Sequence, residues 1–362
     1  MLYLAYFIFT FTLIQFIVVI VNTLFNQQPK SDNEHYNKLV SVLIPARNEE
    51  NNISNLLNDL QSQEYKNIEI LVFNDLSTDR TEAIIAQFAK KDQRIQLINS
   101  EGLPETWLGK NYACHNLAKK AKGEYLLFID ADVRIKKGSI SNSISLAQKH
   151  KVALLSIFPK QKMESLGEYL TVPIMNYILL TLLPLGLVLK SKFPSMAAAN
   201  GQFMLFDSKK YFNTLPHEKF KNNRVEDIEI ARYYKQKQFP VICTLGDDTI
   251  ECRMYSGFED AVKGFSKNVI NFFGNSFLAA LIFWIITTFG CLIVLSKLSL
   301  VLFFFYLAII IATKIIVSLI SKQNIFLNLI LFVPQQLTLG VLLYSTLIYK
   351  FNKQLKWKGR SI

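Results

Sequence analysis

Two aspartates separated by one residue, Asp130 and Asp132, have the types and spacing that point most directly to chemistry in this chain. They follow the apolar stretch 124–129 (EYLLFI), which has the character of a buried strand. Unpaired buried carboxylates are costly, so the two side chains cannot both pack inward. Carboxylate oxygens suit Mg²⁺ or Mn²⁺, ions that proteins hold with one or two carboxylates plus substrate phosphates. The pair therefore predicts a metal site that offsets the charge of a diphosphate.

Polar side chains also follow two earlier apolar stretches. The segment 45–50 (PARNEE) follows the first stretch, and the segment 74–79 (NDLSTD) follows the second. Each position alone has a local explanation, since Asn48 and Asp79 could cap helices and Asp75 could stabilise a turn. Together, polar groups at three strand ends favour a nucleotide and metal site.

The elements that must position these residues alternate between strand and helix. Short apolar stretches predict strands at 39–44, 68–73, 94–98 and 124–129, and apolar periodicity predicts helices at 48–63, 79–91 and 110–121. This alternation predicts an α/β domain with a mostly parallel sheet and right-handed crossovers. Ligands bind beyond the carboxyl ends of the strands in such sheets, so we expect the three polar segments to meet there.

The distribution of charge divides the chain into two parts. Hydrophobic residues make up 51% of the 362 residues, and 40 Lys and Arg against 28 Asp and Glu give a net charge of +12. Residues 261–362 contain ten basic residues and no acidic one, so the rest of the chain is nearly neutral. A basic excess among apolar stretches argues against a nucleic-acid partner, a small soluble domain, a disordered chain or a disulfide scaffold. It is typical of a membrane protein with a nearly neutral water-soluble part.

Long apolar stretches at both ends predict the membrane segments. Residues 1–28 carry no charge and predict an N-terminal transmembrane anchor, after which we place a water-soluble domain at 38–262. Residues 271–349 predict a C-terminal transmembrane region, and 350–362 form a basic tail. The positive-inside rule favours a cytoplasmic middle domain with the tail on the same side.

The number of apolar runs near the C-terminus conflicts with a cytoplasmic tail. Residues 271–349 contain three apolar runs, and three full crossings would place the basic tail outside. We therefore predict that the run 323–349, bent at Pro334, does not cross fully.

Five segments, in order along the chain, resemble the motifs of one enzyme family. They are SVLIPARNEE (41–50), NDLSTD (74–79), WLGK (107–110), DADV (130–133) and VEDIEIARYYK (225–235). The set is similar to that of the family-2 inverting glycosyltransferases with the GT-A fold, and it covers about residues 39–260. The resemblance implies a GT-A domain that binds a nucleotide-linked sugar and transfers the sugar with inversion.

The resemblance implies donor-side roles for individual residues. The segments after the first two strands hold the nucleotide, so Pro45, Glu49 and Asp75 become uridine contacts. The remaining donor-side candidates are Ala46, Arg47, Lys110, Asp130 and Ala131. The metal ligands become Asp132 and Asp130. Leu76 departs from the family, which often has glycine there, so the turn that carries Asp75 is expected to differ.

On the acceptor side, the resemblance implies Asp227 as the general base, with Glu226 beside it. The alternative is that both acids stabilise a helix N-terminus through the helix dipole. Lys110 precedes a helix and either binds a phosphate at its N-terminus or is a surface lysine. Arg253 is a candidate contact for the diphosphate or the acceptor. No Q-x-x-R-W motif follows, which argues against a processive polysaccharide synthase.

The apolar stretch 169–189 is long enough to span a membrane but contains Pro173 and Pro184. A crossing there would place the acidic segments 130–132 and 226–227 on opposite sides, and one active site could not use both. We therefore predict an interfacial or re-entrant segment, in which prolines are tolerated where protein covers the backbone. Such a segment would flank the site with an apolar surface and receive a lipid-soluble acceptor.

Within the family, the chain resembles membrane glycosyltransferases that act on carotenoid acids of the diaponeurosporenoate type, and hopanoid-associated relatives. The supporting segments are PARNEE, GKNYAC (109–114), DADV, RMY (253–255) and WKGR (357–360). This implies a multi-pass cell-membrane enzyme that uses Mg²⁺ or Mn²⁺ and moves a sugar from a nucleotide donor, expected to be UDP-linked, to a lipid or carotenoid-like acceptor. The alternatives are a polyprenyl-phosphate or diacylglycerol glycosyltransferase and a catalytically inactive membrane scaffold.

Overall fold

The computed structural model describes residues 1–25, 29, 37–352, 356–357 and 360–361. The helices are α1 Leu2–Leu24, α2 Ile53–Gln61, α3 Thr81–Lys91, α4 Gly109–Lys120, α5 Ser139–Lys149, α6 Leu166–Leu182, α7 Gly186–Lys190, α8 Ser208–Phe212, α9 Pro216–Lys219, α10 Glu226–Gln236, α11 Phe258–Phe265, α12 Phe277–Lys297, α13 Leu300–Ile320, α14 Ile325–Ile330 and α15 Phe332–Asn352. The strands are β1 Val40–Ala46, β2 Ile68–Asn74, β3 Ile95–Asn99, β4 Tyr125–Ile129, β5 Val133–Ile135, β6 Leu154–Phe158, β7 Lys160–Gln161, β8 Phe203–Asp207, β9 Val241–Leu245, β10 Ile250–Cys252, β11 Lys356–Trp357 and β12 Arg360–Ser361. Single turns of 3₁₀ helix lie at Pro194–Met196 and Val269–Phe273.

The predicted α/β fold with a mostly parallel sheet is confirmed. Within the described residues, the main sheet has seven strands in the order β3-β2-β1-β4-β8-β6-β9. The pairs β3-β2, β2-β1, β1-β4 and β6-β9 are parallel, and β8 runs antiparallel to both of its neighbours. The carboxyl ends of β1, β2 and β4 therefore meet at one edge of the sheet, as the strand and helix pattern predicts.

The helix that follows β1 begins later than its sequence pattern predicts. It starts at Ile53 rather than at Asn48, so the prediction that Asn48 caps it is wrong. Asn48 has a left-handed backbone (φ 52°), and its side-chain oxygen accepts a hydrogen bond from the Thr78 N–H at 2.9 Å. Asn48 thus joins the loop after β1 to the loop after β2, a contact between distant residues that local spacing does not reveal.

The structure contains long apolar helices in both regions that the sequence predicts to be transmembrane. Within the described residues, three helices, α1, α12 and α13, are long and apolar enough to cross a membrane. The run 323–349 forms two helices that are separated at Leu331. The run is therefore interrupted close to the predicted bend, at Leu331 rather than at Pro334. Pro334 itself lies in the first turn of α15, where a missing N–H leaves no hydrogen bond unmade.

The stretch 169–189 is also divided into two helices. Helix α6 contains Pro173 without a break and ends at Leu182, and α7 begins after the turn at Pro184. A fully buried hydrophobic cluster includes residues of α6 such as Ile178, of the sheet such as Phe128, and of the apolar helices such as Leu342. The α/β domain and the apolar helices therefore share one continuous core through α6.

Candidate active site

Residues from the ends of β1 and β2 and from the start of α4 line one cavity. They are Pro45, Ala46, Arg47, Asp75, Gly109, Lys110 and Ala113. The Arg47 guanidinium donates to the carbonyl oxygens of Asp75 at 2.6 Å and Leu76 at 3.0 Å. The structure thus brings together five of the predicted donor-side residues, and Arg47 braces the loop that carries Asp75.

The two loops above this cavity are joined by further hydrogen bonds. The backbone N–H of Glu49 donates to the Thr81 hydroxyl at 2.7 Å, and that of Glu50 donates to the Asp79 carboxylate at 3.1 Å. Asp79 also accepts from the Thr81 N–H at 3.0 Å, at the start of α3. Asp79 therefore acts at a helix start, as the local interpretation of this residue predicts, and ties that start to the neighbouring loop.

Leu76, the departure from the family pattern, has a left-handed backbone with φ 52°. Glycine adopts this conformation freely, whereas a residue with a Cβ is strained there by about 1 kcal/mol. Leu76 therefore adopts a backbone conformation that glycine would adopt more easily.

Lys110 lies inside the site, bonded to the first aspartate of the DADV motif. Its ammonium is 2.7 Å from the Asp130 carboxylate and donates to the Gly201 carbonyl at 3.2 Å. Although burial lowers the pKa of Lys110, the carboxylates of Asp130 and Glu226 raise it above its ordinary value. Lys110 is thus a charged group of the site, and the surface-lysine interpretation is wrong.

Asp132 has a buried carboxylate that lies beside other acids and is hydrogen-bonded to Cys252. Its Oδ1 is buried and has no hydrogen-bond partner among the described residues. Burial, with the neighbouring carboxylates of Asp130 and Glu49, raises the pKa of Asp132 to about 7. A nearby divalent cation would favour the charged form of this group.

The carboxylates in the site fit Mg²⁺ or Mn²⁺ only if a substrate supplies further ligands to the ion. In the part of the chain that the structure describes, no group of three or more His, Cys, Asp or Glu side chains is arranged to hold a metal by itself. Asp130 and Asp132 supply two carboxylates, the number that Mg²⁺ sites commonly combine with substrate phosphates. Two carboxylates are too few to hold the ion alone, so these residues fit a divalent cation only where phosphate oxygens supply further ligands.

Glu226 and Asp227 open helix α10, at the position that the helix dipole makes favourable for acids. Burial and the neighbouring Asp227 raise the pKa of Glu226 to about 8, against the opposing charge of Lys110. Burial also raises the pKa of Asp227, although two backbone N–H groups and Lys110 oppose it. Both acids are therefore stronger bases than ordinary carboxylates, so stabilising a helix N-terminus does not account for them fully.

Gly201 joins the two acidic segments. Its N–H donates to Asp227 Oδ2 at 2.9 Å, and its carbonyl accepts from Lys110, which holds Asp130. A Cβ at Gly201 would lie 3.1 Å from Lys110 Nζ and 3.6 Å from the carboxylate oxygens of Asp227 and Glu226. The side chains after β4 and at the start of α10 thus share one site.

Arg253 is held by two glutamates. It donates to the buried Glu168 carboxylate at 2.9 Å and pairs with the exposed Glu164. The neighbouring residue Cys252 accepts from the Gln202 side chain at 2.9 Å, and Gln202 also accepts the Asp130 N–H with its carbonyl. Arg253 therefore lies beside the strand that borders the aspartates, with its charge balanced by acids.

Glu168 was not among the sequence-predicted residues, although the sequence contains a signal for it. Ser165 caps the start of α6, because its side-chain oxygen accepts from the Glu168 N–H at 3.3 Å. The Glu168 carboxylate in turn accepts from the Ser165 hydroxyl and from the Glu164 N–H, each at 2.8 Å. The S-x-x-E pattern at 165–168 marks the start of α6 three residues before the apolar stretch at 169–189.

Comparison with known proteins identifies the domain. Residues 41–211 match the family described as Glycosyl transferase family 2. A 4,4′-diaponeurosporenoate glycosyltransferase of Staphylococcus haemolyticus is 28% identical over 270 residues, which cover 73% of this chain and 70% of that protein. A protein of the same name from Staphylococcus aureus is 25% identical over 254 residues, which cover 68% of this chain and 66% of that protein.

Among solved structures, a mannosyltransferase from Pyrobaculum calidifontis in complex with GDP-Man and Mn²⁺ aligns with a TM-score of 0.61. The two chains are 15% identical, and the alignment covers 95% of this chain and 99% of the other. At this identity the likeness concerns the fold, which is that of the GT-A glycosyltransferases.

Proposed function

We propose that this chain, a glycosyltransferase that carries a glycosyl transferase family 2 domain at residues 41–211, moves a sugar with inversion from a UDP-linked donor to a lipophilic acceptor. The observation that carries the proposal is the single cluster around Gly201, in which Lys110 and Asp130 meet Asp227. A donor diphosphate and an acceptor nucleophile must be close together for transfer, and this cluster offers groups for both.

On the donor side, residues around the small cavity at the ends of β1 and β2, including Pro45, Arg47 and Asp75, would contact the nucleotide. Asp130 and Asp132 would hold Mg²⁺ or Mn²⁺, which when bound supplies Lewis-acid stabilisation to the departing diphosphate. Lys110 would add its positive charge from the start of α4, where backbone N–H groups also favour anions. Electrostatic stabilisation of this kind requires groups that are fixed before reaction, and the bonds of Lys110 to Asp130 and Gly201 fix the ammonium.

On the acceptor side, Asp227 would remove the proton of the attacking hydroxyl or orient an attacking carboxylate. Its Oδ2 is held by the Gly201 N–H and its Oδ1 by the Ile228 N–H at 2.8 Å. A carboxylate fixed at both oxygens keeps one orientation, which general-base catalysis needs. Glu226, whose pKa burial raises to about 8, would keep a proton near neutral pH and so limit repulsion beside Asp227.

A lipid acceptor is supported by the way α6 lies on the catalytic domain. Its first turn contacts Arg253 through Glu168, and its last turn meets Asn22, near the end of α1 that leads into the catalytic domain. Both ends of α6 therefore lie on the side of the catalytic domain, which agrees with an interfacial rather than a crossing helix. An acceptor that dissolves in the bilayer could reach the site along this apolar surface.

The relatives suggest a carotenoid acid as the first acceptor to test. Purified protein in detergent would be incubated with Mn²⁺, a radiolabelled UDP-hexose or GDP-mannose, and 4,4′-diaponeurosporenoate, undecaprenyl phosphate or diacylglycerol. We expect label in the organic phase with diaponeurosporenoate, and its loss when EDTA is added. Transfer to one of the other two lipids instead would support the alternative acceptor class. The absence of metal-dependent turnover of every donor would overturn the proposal.

A further inference from the structure

A buried asparagine near the end of α1 holds the end of α6. Asn22 donates to the carbonyl oxygens of Leu180 at 2.8 Å and Leu183 at 3.0 Å, and accepts from the Leu185 N–H at 2.6 Å. The last carbonyls of a helix have no partner within the helix, and leaving them unbonded in an apolar environment is costly. Asn22, only 4% exposed, therefore caps α6 from another helix and fixes the turn at Pro184.

Phe25, which directly follows α1, also contacts the chain after the turn at Pro184. Gly186 lies against Phe25, where an added Cβ would be 3.1 Å from the Phe25 Cβ. The Lys190 ammonium lies 4.7 Å from the centre of the Phe25 ring, within the range of a cation–π interaction. Residues 183–190 are thus packed on α1 by polar, apolar and charged contacts.

Helix α10 holds residues 183–190 from the opposite side. Lys235, buried in α10, donates to the carbonyl oxygens of Val188 at 2.6 Å and Ser191 at 2.5 Å. These carbonyls lie at the end of α7, so Lys235 caps α7 as Asn22 caps α6. Helix α10 begins with Glu226 and Asp227, and Asp227 accepts a hydrogen bond from the Gly201 N–H. Both ends of α10 therefore contact the stretch of chain that follows α6.

The continuation of the segment reaches the candidate base. After the turn Pro194–Met196 and the buried Ala198 and Ala199, the chain arrives at Gly201, whose N–H holds Asp227 Oδ2 at 2.9 Å. One stretch, residues 183–201, therefore runs from the side chain of Asn22 to the carboxylate of Asp227. We call it the linking segment.

We propose that Asn22 is a positioning residue for Asp227, acting through the linking segment, and that α1 is thereby part of the catalytic machinery rather than an exchangeable anchor. The inference rests on the proposed role of Asp227. Without Asn22, the C-terminal end of α6 and the turn at Pro184 would shift, and Gly201 would move with them. A misplacement of about 1 Å far from the chemistry can lower a rate by up to about a hundred-fold.

The test uses the full-length protein in lipid nanodiscs, with the donor and acceptor that wild type turns over in the assay above. Asn22→Leu keeps the side-chain size and removes all three hydrogen bonds. Its matched control is Thr23→Val, because Thr23 is exposed and its hydroxyl bonds only the Val19 carbonyl of its own helix. We expect kcat to fall about ten-fold or more in Asn22→Leu, with UDP affinity and the KM for donor unchanged. The control keeps the wild-type kcat.

A second pair keeps the proposal testable if Asn22→Leu fails to insert. Lys235→Met removes the other cap of the linking segment, and Lys237→Met, at the exposed residue that directly follows α10, is its control. We expect the same selective loss of kcat in Lys235→Met alone. A wild-type kcat in Asn22→Leu that inserts normally would overturn the inference, and so would a wild-type kcat in Lys235→Met where Asn22→Leu does not insert. A loss of UDP affinity that parallels the loss of kcat would overturn it as well.

The role of Asp227 is separable from this result. If Asp227→Asn is inactive while Asn22→Leu and Lys235→Met are fully active, the inference fails and the proposed function stands. If Asp227→Asn retains wild-type kcat, the assignment of the base fails, and with it the premise of the inference.

Discussion

Asp227 is the residue on which the acceptor half of the chemistry depends. Asp227→Asn keeps the shape and can still accept the Gly201 N–H, but it cannot take a proton. We expect kcat to fall by about 10²–10⁴-fold, the usual contribution of a general base, with the affinity for UDP retained. Glu229→Gln is the matched control, because Glu229 lies in the same first turn but pairs with Arg232 at 2.6 Å. Equal kcat in the two variants would contradict the assignment.

Asp132 is the residue on which the proposed metal site on the donor side depends. Its buried Oδ1 lacks a hydrogen-bond partner in the described structure, so a bound cation is the partner that the site implies. We expect Asp132→Asn to raise the Mn²⁺ concentration for half-maximal activity by more than about ten-fold, since even outer-shell partners of metal ligands are worth that much. Asp92→Asn, at the opposite edge of the sheet and paired with Arg94, should leave the Mn²⁺ dependence unchanged. An unchanged dependence in Asp132→Asn would remove this residue from the metal site.

At the scale of elements, the start of α6 is fixed by an arginine with two unequal partners. Glu168 is buried and accepts from Arg253, Ser165 and the Glu164 N–H, whereas Glu164 is exposed. Burial raises the pKa of Glu168, but Arg253 and the other donors outweigh it and hold the pKa below its usual value. Its stabilising contribution is therefore present above the ordinary carboxyl pKa and is lost as the pH falls through the lowered one.

The two glutamates form a matched pair for a stability measurement. Glu168→Ala leaves buried donors without a partner and should cost about 2 kcal/mol. Glu164→Ala removes only an exposed ion pair and should cost about 0.5 kcal/mol or less. The midpoint of thermal unfolding in detergent should therefore fall clearly in the first variant and hardly in the second. Equal shifts would show that burial does not distinguish the two bonds.

The sequence predicts the elements well where the pattern is local. The strands that precede Arg47, Asp75 and Asp130 follow from apolar stretches, and the edge of the sheet at which they meet follows from strand alternation. The antiparallel direction of β8 and the late start of α2 did not follow, because both depend on contacts between distant residues. Asn48, for example, bonds Thr78 across two loops rather than the helix that follows it.

The same limit applies within the site. Residue types and family resemblance identified Asp130, Asp132 and Asp227, but not the backbone of Gly201 that joins them, because a backbone group leaves no mark in the sequence. Asn22 lay in an apolar stretch where composition predicts only a membrane anchor. Its role depends on Leu180, Leu183 and Leu185, more than 150 residues away in the chain.

For the whole molecule, the contacts of the C-terminal helices bear on the side of the basic tail. Lys322, after α13, lies 3.8 Å from Asp248 of the catalytic domain, and Thr346, near the end of α15, donates to the Ser266 carbonyl at 2.8 Å. One end of the run 323–349 therefore lies next to the catalytic domain, and the other lies next to the segment that directly follows this domain. We propose that α14 and α15 do not cross the membrane and that α1, α12 and α13 do. The tail would then lie on the same side as the catalytic domain, the side that the positive-inside rule predicts to be cytoplasmic.

Reporter fusions test this topology. A green fluorescent protein fused after Ile362 should fluoresce and an alkaline phosphatase at the same site should be inactive. A phosphatase inserted between α12 and α13, at Leu298, should be active and serves as the control. An active phosphatase at Ile362 would place the tail outside and require a third C-terminal crossing.

The proposed function requires that this molecule glycosylate a membrane-soluble acceptor with one site built from Asp130, Asp132 and Asp227. The most direct measurement is mass spectrometry of lipid extracts from cells that produce 4,4′-diaponeurosporenoate and express either wild type or Asp227→Asn at equal levels. We expect a lipid heavier by one sugar residue in the wild-type extract and its absence from the variant extract. Identical lipid profiles, or the same glycolipid in both, would contradict it.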